Sequence, residues 1–199
     1  TNVPIDPNSN YRLVIDRHVD GAQITAATSI VKDIHVNSPG SPSATIGLVN
    51  SLSSAYVEYP VSWNSSLNGK IYTVTALFKY KEHTISPPAD VIKQLEWNVG
   101  TVLAGSTYGG EQLILKINGE SFFQSIGSSI APDPNVQSRT PLDSLELTFS
   151  AGTDDLNTYI EVNKPSTGLI QEKPVFTNIN NGVGLFSSRY TKTTKNKMS

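Results

Sequence analysis

The residues able to do chemistry are few and scattered. Three histidines, His18, His35 and His83, lie far apart. None forms the His-x-x-x-His or His-Glu pairing through which one helix presents two metal ligands. The chain has no cysteine, which excludes disulfides, thiolate zinc sites and thiol nucleophiles. Ser29 and Lys32 in "SIVK" have Ser-x-x-Lys spacing, which serves catalysis on a helix, where positions three apart share a face. In a β-branched run the two side chains point to opposite faces. No Gly-x-Ser-x-Gly elbow occurs. "GTDDLN" (residues 152–157) offers Asp154, Asp155 and Asn157 to a cation, a thinner set than a calcium loop supplies. It reads instead as a turn whose carboxylates favour the N-terminus of a following helical turn. The acids are spread through the strands, and none stands out as the paired carboxylates of glycoside hydrolysis. Gly182-Val183-Gly184 lacks the rest of either glycine-rich phosphate fingerprint. The expectation is a protein without catalytic residues, metal or cofactor, and so not an enzyme.

Binding is harder to dismiss. Trp63 and Trp97 are the residues that would stack on sugar rings if the fold left them exposed; core packing is the alternative for both. Charge points to no polyanion: 15 Lys and Arg face 17 Asp and Glu, so nucleic acid is not an expected partner. Charged residues are 16% of the chain, below the ~25% usual for soluble domains. Ser, Thr and Asn fill the deficit, as suits the edges and turns of a β-protein. No apolar run approaches the ~20 residues of a membrane span. The start, "TNVPIDPNSN", carries neither initiator Met nor signal peptide, so upstream sequence is expected before Thr1.

The elements that must position these residues are mostly strands. "YRLVIDRHV" alternates Tyr11, Leu13 and Ile15 against polar neighbours, and Asp20-Gly21 then leads into the β-type run "AQITAATSIV", a hairpin signal. In "AYVEYPVSW" Pro60 cannot donate to a ladder, which predicts an edge strand or a bulge. "KIYTVTALFKYKEH" is the longest strand candidate, with Tyr72, Val74, Ala76, Phe78 and Tyr80 as its core face. "ISPPAD" interrupts it, and "DVIKQLEWNVGTVL" is read as strand. "EQLILKI" is another strand, stopped by Asn118-Gly119. The period then changes: Phe122, Phe123, Ile126 and Ile130 fit one short amphipathic helix over residues 120–130. "LDSLELTFSA" turns Leu145, Leu147 and Phe149 inward. Near the end, "NNGVGLFSSRY" pairs a tight Asn-Gly turn with alternation from Leu185 to Tyr190, the pattern of a closing terminal strand.

"KPVFTNINNGVGLFSSR" also resembles the C-terminal signature of a family of Bacteroidetes-type outer-membrane lipoproteins of unknown function. Those chains finish with a Pro, a short gap, Asn-Ile, a turn ending in Gly, then Gly-x-Phe. Pro174, Asn178, Ile179, Gly182, Gly184 and Phe186 occupy those places. "LELTFSAGTDDLNTYIEV" resembles the strand and Tyr-bearing segment before it, with Tyr159 in the Tyr position, and "YRLVIDRHVDGAQITAATSI" looks like the family's opening strand pair. The resemblance implies a non-enzymatic protein of the cell envelope, lipid-anchored through a cysteine upstream of Thr1. Such proteins are often associated with TonB-dependent outer-membrane transporters.

The sequence thus predicts a mainly β fold, an antiparallel β-sandwich-like domain with one short helix. Residues 1–10 form an extended lead-in, 11–191 a single β domain and 192–199 a disordered basic tail. The expected core comprises Leu13, Ile15, Ile24, Val74, Phe78, Leu113, Leu115, Leu145, Leu147, Phe149 and Phe186. The expected function is that of a surface-exposed accessory or binding lipoprotein of the outer membrane, acting through protein–protein contacts with a partner such as an outer-membrane β-barrel. The alternatives are a glycan-binding sandwich module and a fimbrial or adhesin subunit that exchanges a strand through residues 1–10 or 184–194.

Overall fold

Alternation dominates the chain, and the computed structural model, which describes residues 5–18, 21–165 and 175–198, converts it into three sheets. The longest alternating run becomes β6 (Ile71–Ile85), flanked by β7 (Pro88–Leu103) and β9 (Val136–Gly152). β11 (Arg189–Met198) and the short β4 (Thr45–Ile46) extend this into a five-stranded sheet of order β4-β11-β9-β6-β7. Facing it is a three-stranded sheet, with β5 (Glu58–Asn64) between β3 (His35–Ser38) and β8 (Gln112–Asn118). A third, small sheet joins β1 (Asn10–Asp16), β2 (Gln23–Ser29) and β10 (Ile179–Asn180). The fold is mainly β and sandwich-like, with antiparallel pairing throughout except where β11 meets β4 in parallel.

Every second residue of β6 points into the sandwich. Tyr72, Val74, Ala76, Phe78 and Tyr80 are all buried, and Leu145, Leu147 and Phe149 of β9 lie beside them. From the opposite sheet Val61 and Trp63 of β5 and Leu113 and Ile117 of β8 complete the core. Trp63 meets Phe149 edge-on at 5.5 Å and Tyr72 at 6.0 Å between ring centroids. Leu115 packs against this cluster half-buried. The expected core members Leu13, Ile24 and Phe186 are half-buried, and Ile15 is exposed. All four belong to the small sheet or its covering loop, which has too little apolar cover to bury them.

The single helix expected near residues 120–130 is α1 (Gly119–Ser129). Asn118 caps it, accepting from Ser121 N at 2.9 Å, which satisfies one of the unpaired donors of the first turn. Phe122 and Ile126 are buried, and Phe122 contacts Phe78 and Trp97 edge-on. A second helix, α2 (Asp154–Asn163), grows from the stretch read as a turn, with Thr153 as its cap and Asp154 and Asp155 in its first turn. The acidic pair complements the helix dipole, and the helix runs well past the single turn that the sequence predicts.

Pro60 lies in the central strand of its sheet, not in an edge strand. β3 pairs with β5 only as far as Ser62, where β3 shifts register. At Pro60 only β8 lies alongside, so the missing donor falls where the strand has one neighbour.

The largest correction concerns the basic tail. Residues 192–198 belong to β11, paired with β9 from Arg189 to Lys197, and are not a disordered end. The closing strand therefore begins at Arg189, while residues 184–188 are irregular. Polarity concealed it, because the inward-facing positions of β11 include Lys192, Thr194 and Asn196. Lys192 Nζ reaches the Ile34 carbonyl at 2.8 Å and Asp33 at 3.1 Å. Asn196 is buried and donates to the Ser41 carbonyl at 2.7 Å. These loop carbonyls take the Lys192 and Asn196 donors, while Thr194 Oγ1 and Asn196 Oδ1 are buried without a partner among the described residues.

Asn196→Ala should cost about 1–3 kcal/mol, and deletion of residues 192–199 should lower the melting temperature by about 10 °C or more. Circular dichroism melts decide it; an unchanged melt for the deletion would return these residues to the status of a solvated appendage.

Candidate functional site

The C-terminal signature is built into the architecture. The Asn178 amide brackets Phe186, donating through Nδ2 to its carbonyl at 2.8 Å while Oδ1 accepts from its N–H at 2.9 Å. The same Nδ2 reaches Asp155 of α2 at 2.7 Å. Thr177 Oγ1 accepts from the N–H groups of Ile179 and Gly184, both at 3.1 Å. Ile179 and Asn180 pair with Ala26 and Thr25 of β2. The turn between them and Phe186 uses positive φ at Asn181 (57°) and Gly184 (141°), conformations that suit Asn and Gly. A Cβ at Gly182 would lie 3.0 Å from Ile179 Cγ2, too near for an ordinary contact. Asn178, Ile179, Gly182, Gly184 and Phe186 are thus brought together, and Pro174 lies outside the described residues.

Where this loop ends, Phe186 and the residues after it line one side of a cleft of about 900 Å3. Its walls come from the lead-in (Ile5, Pro7), from Tyr11, from Ile30 and Val31 after β2, and from residues 186–190. Such a volume and mostly apolar lining fall in the range of binding sites, roughly 300–1,000 Å3. Ser188 fixes one wall: its hydroxyl donates to the Ser29 carbonyl at 2.7 Å and accepts from Val31 N at 2.9 Å. At the rim, Asp33 is paired with Lys192 and hydrogen-bonded by Tyr190. Desolvation raises the Asp33 pKa, but the bonds from Tyr190 and Lys192 outweigh it and hold the carboxyl below its usual value. Tyr190 is pushed up, first by that bond to Asp33 and then by burial.

The two tryptophans proposed for sugar stacking lie elsewhere. Trp63 is 0% exposed and offers no ring face to a glycan, a correction that follows from its position on the inner face of a central strand. Trp97 is half-buried on the side of β7 that packs against Phe122, so α1 occupies the ring's surroundings. His18, His35 and His83 remain apart, and among the described residues no group of three or more His, Asp or Glu gathers to hold a metal. Ser29 and Lys32 do not converge on a nucleophilic site: Lys32 Nζ bonds Asn8 Oδ1, and Ser29 Oγ bonds Asn10 Oδ1. Among the described residues no helix is long and apolar enough to cross a membrane.

The cleft was not foreseen from sequence because three segments far apart in the chain, residues 5–11, 28–33 and 186–190, build it. The one available signal was the density of small polar residues beside Phe186 and Tyr190. In comparisons with known proteins, the chain matches no family model and no curated protein.

Asn178→Ala removes three bonds at once and should destabilise the fold by roughly 2–4 kcal/mol, far more than Asn180→Ala, whose amide makes one bond to Thr25 at 3.3 Å. Equal losses in urea titrations would show that the bracket carries no special weight. The lowered Asp33 pKa contributes stability above the ordinary carboxylate value, and that contribution disappears as pH falls through the folded value. The raised Tyr190 pKa contributes below pH ~10 and is lost above it. Asp33→Asn should therefore flatten the acid limb of the stability–pH curve; an acid limb as steep as the wild type's contradicts the pairing.

Proposed function

We propose that this chain is a non-enzymatic, surface-exposed accessory or binding lipoprotein of the bacterial outer membrane, working through protein–protein contacts made at the cleft. Its partner is an outer-membrane β-barrel, the class that the C-terminal resemblance suggests. The observation that carries the reading is the cleft itself, one wall of which (residues 186–189) closes the stretch that bears the resemblance. Apolar walls, with Asp33 at the rim paired to Lys192, suit the docking of a partner's apolar side chains. At the rim Lys192 and the Tyr190 hydroxyl satisfy Asp33, so that carboxylate is not left with the raised pKa of a general acid.

Affinity purification from native envelopes, using the protein with its natural N-terminus, provides the test. Ile5 is 66% exposed on the cleft wall, so Ile5→Asp should leave the fold intact. One barrel protein should co-purify with the wild type, and its recovery should drop about tenfold or more with the variant. Equal recovery would move the contact away from the cleft, and no co-purifying barrel would defeat the reading.

A further inference from the structure

The far ends of β6, β7 and β9 leave the sandwich and continue as a three-stranded arm. Residues 88–94 of β7 are exposed on both faces, and among the described residues β7 ends its sheet with no strand on its other side. Val91 and Ile92 are 38% and 66% exposed, and Ile85 at the tip is 53% exposed. A long, exposed edge with apolar side chains is a template for pairing with another strand.

The backbone shows which groups that edge offers. Ile85 N–H donates to the Asn135 carbonyl on the β9 side, and Ala104 N–H donates to the Lys70 carbonyl at the other end of the hairpin. With the one-residue bulge after Val74 taken into account, both fix the same alternation. Ala89, Val91, Lys93 and Leu95 turn their peptide groups to β6, whereas Pro88, Asp90, Ile92, Gln94 and Glu96 turn theirs to the free edge. Pro88, lacking an N–H, sits in the outward set and leaves no ladder bond to β6 unmade.

We propose that this edge pairs with the same edge of a second copy, antiparallel about a two-fold axis through Ile92, giving a homodimer joined arm to arm. In this register Ile92 faces Ile92 of the second copy, Asp90 faces Gln94, Val91 faces Lys93 and Pro88 faces Glu96. About eight backbone hydrogen bonds form. No like charges stand directly opposite, while a shift to an axis at Lys93 would set Lys93 against Lys93 and Asp90 against Glu96. Asp90 is already paired within its own arm, with Lys81 at 2.9 Å and His83 at 2.8 Å. It therefore brings little net charge to the junction. The arm also keeps its shape alone, because Arg139 of β9 holds Glu82 of β6 at 2.8 Å.

Sedimentation over a wide concentration range measures the association. The wild type should shift from monomer to dimer. Ile92→Pro removes an outward N–H and should weaken dimerisation about tenfold or more while leaving the circular dichroism spectrum unchanged. Ile92→Cys, placed on the axis with Cα atoms about 5.5 Å apart, should give a disulfide-linked dimer on mild oxidation. A wild type that stays monomeric throughout, or an Ile92→Pro protein that dimerises as well as the wild type, would overturn the proposal. So would failure of the Ile92→Cys protein to cross-link.

Discussion

Everything in this molecule hangs on the inner face of β6. Its alternating Tyr72, Val74, Ala76, Phe78 and Tyr80 are buried against β5, β8 and α1, while its two backbone edges are taken by β7 and β9. Burying each large side chain of that row is worth about 1.5–3 kcal/mol, and no other strand is so fully used on both edges. Trp63 is the matching piece from the opposite sheet, in ring contact with Tyr72 and Phe149. The outer face of β6 is free to be polar. Thr73 shares a hydrogen bond with Thr101 across the β6–β7 ladder, and Lys79 pairs with Glu146 across to β9.

Where apolar alternation is strong, the sequence was enough to read the fold. The core faces of β6 and β9, the β1–β2 pairing and the position of α1 all follow from period and turn chemistry. Reading failed where a polar residue is buried by means of a distant carbonyl. β11 looks like a solvated tail because Lys192 and Asn196 find their acceptors in loops some 150 positions earlier in the chain, and no local pattern records that. α2 was under-read for a related reason: none of its residues is buried, so its apolar stripe is faint. Ile15 failed in the opposite direction, since strict alternation identifies an inward face only when another layer exists to cover it.

The candidate cleft illustrates the same division. The turn leading into one wall of the cleft was legible, because Asn181, Gly182 and Gly184 announce a tight path, and Asn178 then brackets the wall residue Phe186. The floor of the cleft was not, because Ile30 and Val31 follow β2 in a stretch with no motif, and the lead-in reaches the site only through the folded arrangement. Architecture and recognition are thereby merged. The bonds that fix Phe186 also set the width of the opening, so a partner bound there would stiffen the attachment of the small sheet to the sandwich.

The parallel pairing of Lys197 and Met198 with Thr45 and Ile46 has a consequence for biosynthesis. An early segment of the polypeptide waits until residues about 150 positions later are made before its ladder closes, and the edge of β9 that β11 covers stays unpaired for as long. The five-stranded sheet cannot be completed until β11 has left the ribosome. The strands made first must therefore wait, exposed or shielded by a chaperone, until β11 emerges and the native sheet order can form.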